Sequence, residues 1–288
     1  MSVPSISEYP YKTLEQLQAS SPSRQHGLTE EQEERWKRAA VNLIITAGMH
    51  LRMDHLAVVT ALEYLHKFYA EYSMVTNDRF LIATACLYLG GKVADAPKAC
   101  RDVIIACVDR LCTSREEGRR LWQDKEWMEA ARERVFLAER AILYQIGFRF
   151  STTTAPEAVI HALLDQSSPV GLLFTKHFAD NLTARSQFSQ TCMHLANQTA
   201  KIPLVLQYRA EAVAAACIWL GMKLFQVNTA PLATAHHGKP WYTKFDLTDK
   251  DLESISAQIS LSVVHDAEVA KELGNVSAIS AEISPAPP

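Results

Sequence analysis

No stretch of this 288-residue chain is apolar for long enough to span a bilayer, and none of its six cysteines pairs with another at C-x-x-C spacing. The first absence argues against a membrane helix. The second argues against zinc and disulfides, and Cys86, Cys100, Cys107, Cys112, Cys192 and Cys217 read as free thiols in a reducing compartment, four of them in apolar helical runs. A basic excess is missing too. The net charge is −3 and the pI about 6.4, which speaks against a phosphate backbone as main partner. The opening "MSVPSISEYPYKTLEQL" lacks the basic-then-apolar layout of a signal peptide, so a nuclear or cytosolic chain is expected. Strand-like alternation never persists beyond a few residues. There is no P-loop, no G-x-G-x-x-G after a strand, no G-x-S-x-G, no H-E-x-x-H and no kinase catalytic loop. His236 and His237 are adjacent but have no further ligands, and read as solvated; His66, among aromatic residues, reads as a packed histidine. The chain is therefore expected to be non-enzymatic, with no cofactor and no metal.

What the chain does contain is a repeat. "ACLYLGGK", Ala85 to Lys92, returns as "ACIWLGMK", Ala216 to Lys223, displaced by 216 − 85 = 131 residues. Two copies of one domain, each about 110 residues or a little more, are implied. With 48% apolar and 21% charged residues the chain can bury a sizeable core. Both strings are small-residue helices without a polar face. Such helices are buried, and their alanines and glycines admit close neighbours. Each half is thus predicted to be a helical bundle around a central helix. The lysine that ends that helix must reach the surface.

The rest of the chain punctuates accordingly. Residues 1–28 read as an extended arm, with Pro4, Pro10 and Pro22, and with Tyr9, Tyr11, Leu14 and Leu17 available to pack. Thr29 and Gln32 form a capping box for a first helix that Gly48 would stop. Asp54 caps a second helix, Asn77 or Asp78 the repeated one, and Pro97 bars its continuation. "KACRDVIIACVDRLC" is a fourth helix with Val103, Ile104, Cys107 and Leu111 on one face. "TSREEGRRLWQDKE" reads as a polar connection. A long fifth helix runs from about Trp127 to Ile146 and ends at Gly147. A second series begins after "STTTAP" and closes with a helix capped by Thr248. "QVNTAPLATAHHGKPWY" reads as an irregular connection and the chain beyond Glu272 as a disordered tail.

Two charges stand out by position. Lys92 emerges from the repeated helix, and Glu139 interrupts the apolar run "VFLAERAIL". A carboxylate there is costly unless it is paired or awaits a partner. One reading is an ion pair that fixes two helices together, which composition alone favours. The other is a pair that reads the backbone of another protein: lysine donates to exposed carbonyls and glutamate accepts from exposed amides at a helix end.

Taken together, "TALEYLHKFY", "ACLYLGGKVADAPKACRDVI" and "AERAILYQIGFRF" resemble the second helix, the helix-three to helix-four segment and the fifth helix of a cyclin box. The transcriptional branch of the cyclin family is the most similar. "PSRQHGLTEEQEERWKR", "KACRDVI" and "KPWYTKFDLTDKDLE" are nearest to the K subfamily and then the T subfamily. The resemblance covers about residues 9–266, specifically in the first copy and more loosely across 165–190. It implies an all-α fold of two tandem five-helix cyclin boxes, at 29–150 and 151–270, between an N-terminal arm (1–28) and a disordered tail (271–288).

It also implies a regulatory subunit that binds and activates a cyclin-dependent kinase. That kinase would phosphorylate the RNA polymerase II C-terminal tail, in the nucleus, without strong nucleic-acid binding and without a membrane. In cyclins the lysine ending helix three and the glutamate of helix five grip the kinase αC helix. Those positions are Lys92 and Glu139 here, and the resemblance shifts the weight to the partner-binding reading. Phe148 and Phe150 match the apolar residues that pack on the kinase. The branch's "VEE" reads "VAD", leaving Asp95 and placing Ala94 where a carboxylate would stand. Cell-cycle cyclins dock substrates on a first-helix tryptophan, and "RAAVNLIITAG" has none. The rival expectation is a general transcription factor of the TFIIB type, which uses the same paired fold on DNA; it would want a zinc ribbon and a basic face.

Overall fold

In the computed structural model, which describes residues 11–150, 153–229 and 240–263, the segment read as an extended arm contains two short helices. α1 (Leu14–Ala19) starts on a Thr13–Gln16 capping box, and α2 (Pro22–Gln25) starts on Ser21 with Pro22 in its first turn. The sequence carried these signals. Thr13–Gln16 is the same device as Thr29–Gln32, and proline suits a first helical position. Pro22 thus opens a helix rather than barring one.

α3 (Glu30–His50), α4 (His55–Tyr69) and α5 (Arg79–Val93) are capped by Thr29, Asp54 and Asp78 as their spacing predicts. Gly48 does not stop α3. It lies inside the helix, where an added Cβ would come within 2.7 Å of Val58 Cγ2 on α4, so the glycine serves packing. α6 (Cys100–Leu111) buries Val103, Ile104 and Cys107, while Leu111, at its last turn, is exposed. The segment "TSREEGRRLWQDKE" is not a plain connection. It forms α7 (Arg115–Gln123), capped by Ser114 and tied to α6 where the Trp122 indole N–H donates to Asp109 at 3.1 Å. α8 (Lys125–Gln145) follows directly, its Asp124 cap accepting from Glu126 and Trp127. No strand occurs among the described residues.

The chain divides into two units: Met1–Ala158 with Pro203–Ala210, and Val159–Ile202 with Glu211–Pro288. In the first, α5 is the hub, packed against α3, α4, α6 and α8. Ile82 through Leu87 and Leu89 through Gly91 are all buried, so no polar stripe is available on most of its length. The returning segment closes this unit. Its Pro203–Leu206 turn packs against α4, and Leu206 C=O accepts the Lys12 N–H at 2.9 Å.

Close approach is why small residues fill α5. A Cβ on Gly90 would lie 2.5 Å from the Ala57 carbonyl oxygen and 3.1 Å from the Ala61 nitrogen, both α4 backbone. Backbone cannot rotate away as a side chain can. Gly90→Ala is therefore expected to destabilise the protein by about 1–3 kcal/mol through overpacking. Urea unfolding checks this as a lowered midpoint at unchanged slope.

The second unit contains most of α9 (Ala155–Leu164), α10 (Pro169–His177), α11 (Leu182–Thr199), α12 (Ala210–Leu224) and a helix over 249–263, here α13. α12 reproduces α5 at both ends, from 79 to 210 and from 93 to 224, the same 131-residue offset. Gly221, the counterpart of Gly90, faces Cys192 and Phe188 of α11. Phe174, Phe178, Phe188 and Phe225 form a continuous ring cluster beside it. His236, His237 and the tail beyond Glu272 lie outside the described residues.

The six cysteines are free, and Cys112 alone among them is not buried. Burial raises the other thiols, Cys107 to about 11 and Cys192 to about 12. A thiol reagent such as Ellman's is expected to titrate one cysteine quickly in the native protein and five more only after denaturation. Two or more fast thiols would contradict this packing.

Candidate functional site

The site grows from the crossing of α5 and α8. Lys92 sits in the last turn of α5, where a cation also favours the negative helix end. Its Nζ donates to Glu139 Oε1 at 2.7 Å. The two ends of this bond differ. The Lys92 side chain is 41% exposed and that of Glu139 only 11%. Partial burial pulls the Lys92 ammonium down, but its hydrogen bond to Glu139, its contact with Tyr88 and their charges outweigh that and hold it above its ordinary range.

Tyr88, one turn before Lys92, lies beneath the ammonium, with 4.0 Å between Nζ and the ring centre. The Tyr88 ring in turn meets Phe136 of α8 at 6.0 Å. Lys92 is thus bracketed by a ring on one side and a carboxylate on the other. Sequence reasoning singled out neither Tyr88 nor Phe136. A signal was present: the shared aromatic of the repeat stands four residues before the shared lysine. α12 has the same stack, Lys223 over Trp219 at 3.7 Å, yet among the described residues only the first copy adds a carboxylate.

α8 exposes large apolar side chains among its charged ones, Glu133, Arg134 and Arg140. Phe136, Leu137 and Tyr144 are exposed along it. At its end Gly147 and Phe148 both take left-handed backbone conformations, with φ of +60° and +55°. For a bulky residue such as Phe148 this costs on the order of 1–3 kcal/mol. Hydrogen bonds from Phe148 N–H to Leu143 C=O and from Gly147 N–H to Tyr144 C=O hold the turn closed. The result is an outward ring, 54% exposed, stacked edge-on against Tyr144. Phe150 is also exposed, at 45%.

Of the five residues singled out from the sequence, the structure joins Lys92 and Glu139 directly. Asp95 is exposed in the turn just beyond α5, with φ of +52°. Phe148 and Phe150 lie past the end of α8, beyond its Ile146 cap. The arrangement offers a cation and a carboxylate on a unit that also exposes Phe136, Leu137, Tyr144, Phe148 and Phe150.

This architecture is that of a cyclin box. Residues 10–151 match the family profile described as "Cyclin, N-terminal domain", and the chain belongs to the cyclin family. Within that family its relatives are of the transcriptional type. It is 25% identical over 249 residues to Cyclin-T1-3 of Oryza sativa subsp. japonica, covering 86% of this chain and 47% of that protein. It is 26% identical to Cyclin-L1 of Homo sapiens, covering 84% of this chain and 42% of that one. The chain thus spans about half the length of these relatives. Its fold matches a chain of the yeast RNA polymerase II CTD kinase CTDK-1 complex, with a TM-score of 0.63 at 16% identity over 87% of this chain and 71% of that one. It also matches a chain of the CAK complex of Chaetomium thermophilum bound to ATP-gamma-S, with a TM-score of 0.63 at 15% identity over 96% and 82%.

Proposed function

We propose that this chain is the regulatory subunit of a cyclin-dependent protein kinase that phosphorylates the RNA polymerase II C-terminal tail in the nucleus. The observation that supports it is the Lys92–Glu139 pair, with its lysine partly exposed and Phe136, Leu137 and Tyr144 uncovered on the helix that carries its glutamate. A purely structural pair has no need of uncovered Phe136, Leu137 and Tyr144 on the helix that carries Glu139. On binding, Lys92 would turn to the free carbonyls and Glu139 to the free amides of the kinase αC helix. The uncovered apolar side chains would bury area against those of that helix. Since these contacts form only with αC swung inward, they favour the active arrangement, in which the kinase's own glutamate and lysine orient ATP. Asp95 would stand at the rim of this contact. The chain itself supplies no catalytic group.

The test is reconstitution. The chain is mixed with purified transcriptional cyclin-dependent kinases, and phosphate transfer to a tail-repeat peptide is followed. At least one kinase is expected to be activated and to co-elute with the chain. Failure to bind any of them, together with tight binding of duplex DNA at physiological salt, would move the assignment to the TFIIB-type alternative.

A further inference from the structure

Arg79 opens α5 at the end opposite Lys92. From residue 79 to residue 92 the helix rises about 20 Å, so this place is separate from the surface assigned above to the kinase. The Arg79 guanidinium lies between two rings, with its carbon 4.4 Å from the centre of Trp36 on α3 and 4.4 Å from that of Phe80. Its Nε is buried and has no hydrogen-bond partner. The residue as a whole is only half-buried, so the terminal amino groups face solvent.

One carboxylate adjoins Arg79 in the chain and another lies near Trp36, and both are committed elsewhere. Asp78 Oδ1 accepts the N–H groups of Phe80 and Leu81 as the cap of α5. Glu33, one turn before Trp36 on α3, is held by Ser21, Arg24 and Lys37. Among the described residues Arg79 therefore carries a charge that no carboxylate meets. The two rings also fix the plane of its planar fork, removing most of the ordering that binding would otherwise require. If the stack served only to join α3 to α5, an apolar side chain would do it without placing a guanidinium there.

We propose that Trp36, Arg79 and Phe80 form a docking site for an acidic peptide segment of a partner protein. A side-chain carboxylate would accept two N–H bonds from the outward end of Arg79, and a neighbouring apolar side chain would lie on Trp36 and Phe80. Charge complementarity selects this occupant: a single fixed guanidinium with a bidentate face suits a carboxylate, and the flanking rings suit an adjacent aliphatic group.

The experiment uses the full chain, free of any kinase, so its outcome is independent of the reading above. The probe is a Gly-Ser host peptide carrying Leu-Asp-Glu-Leu, and its control carries Leu-Asn-Gln-Leu. NMR follows the Trp36 indole N–H and the Arg79 Nε–H during titration to about 1 mM, the weak end of measurable affinity. The acidic peptide is expected to shift both signals saturably and to bind at least about tenfold more tightly than the amide control, as loss of a matched charge at an interface implies. Arg79→Gln should abolish the Trp36 shift. Arg79→Lys, which keeps the charge without the fork, should weaken it. The proposal is overturned by absence of saturation, by equal binding of the amide peptide, or by undiminished binding to Arg79→Gln. It is equally overturned if a phosphoserine version of the host peptide binds and the carboxylate version does not.

Discussion

Lys92→Ala and Glu139→Ala should each leave the free protein folded and lower its capacity to activate a kinase by more than tenfold. The two effects separate because they draw on different parts of the same geometry. In the free chain the pair joins a partly hydrated ammonium to a largely buried carboxylate. With the ammonium in contact with water the pair itself contributes about 1 kcal/mol or less to folding. Lys92→Ala adds about 1–3 kcal/mol by leaving the largely buried Glu139 carboxylate unmatched, too little to unfold the protein. In the complex, both groups would be desolvated against helix ends. Truncating one would leave the other unmatched, typically at a cost of about 2–5 kcal/mol. Phe148→Ala should act in the same direction at an interface hot spot, while the strain of its left-handed backbone remains because alanine keeps the Cβ. The measurement pairs melting temperature of each variant alone with kinase activity at limiting cyclin. Unchanged activation would sink the partner-binding reading. A melting temperature lowered by many degrees in Glu139→Ala alone would instead make the pair a structural clamp.

The repeat made the hub helices legible, because an all-apolar run of small residues that returns at a fixed offset has no polar face to turn outward and must be buried in each copy. Caps were equally visible: Thr29, Asp54, Asp78 and Thr248 sit where side-chain oxygens meet free amides. The misses have a common cause. α7 and the arm helices are short, polar, and stabilised by contacts far off in sequence, such as Trp122 with Asp109 or Ser23 Oγ accepting from Met74 N–H. Apolar periodicity does not record such contacts. For the same reason Lys92 and Glu139 could be picked out singly, while their pairing and the stack of Arg79 on Trp36 of another helix needed three dimensions.

The arm contact on α3 carries the second large effect. Glu33 looks like an ordinary first-turn carboxylate, yet its side chain is only 2% exposed. Ser21 Oγ and Arg24 Nε, both from the arm, donate to it at 2.7 and 2.8 Å, and Lys37 Nζ meets it at 2.6 Å one turn along. Burial pushes its pKa up, but the hydrogen bond and charge of Lys37 and the bonds from Arg24 and Ser21 outweigh this, so it lies below the ordinary value of 4.5. A carboxylate depressed in the folded state stabilises the protein above its unfolded pKa, and that stability is lost as pH falls through the folded value. Glu33→Ala removes the anchor of the arm and is expected to cost about 3 kcal/mol at pH 7. That is the low end for a broken buried pair, since Arg24 and Lys37 remain partly hydrated. Glu33→Gln keeps the shape and loses the charge. It should be less stable than the parent at pH 7 and should lack the parent's extra loss of stability below pH about 4.5. Trypsin supplies an independent readout: cleavage after Arg24 should quicken in both variants, because the arm has lost its tether. Parallel acid limbs for the parent and Glu33→Gln, with equal resistance at Arg24, would show that this buried carboxylate does not hold the arm.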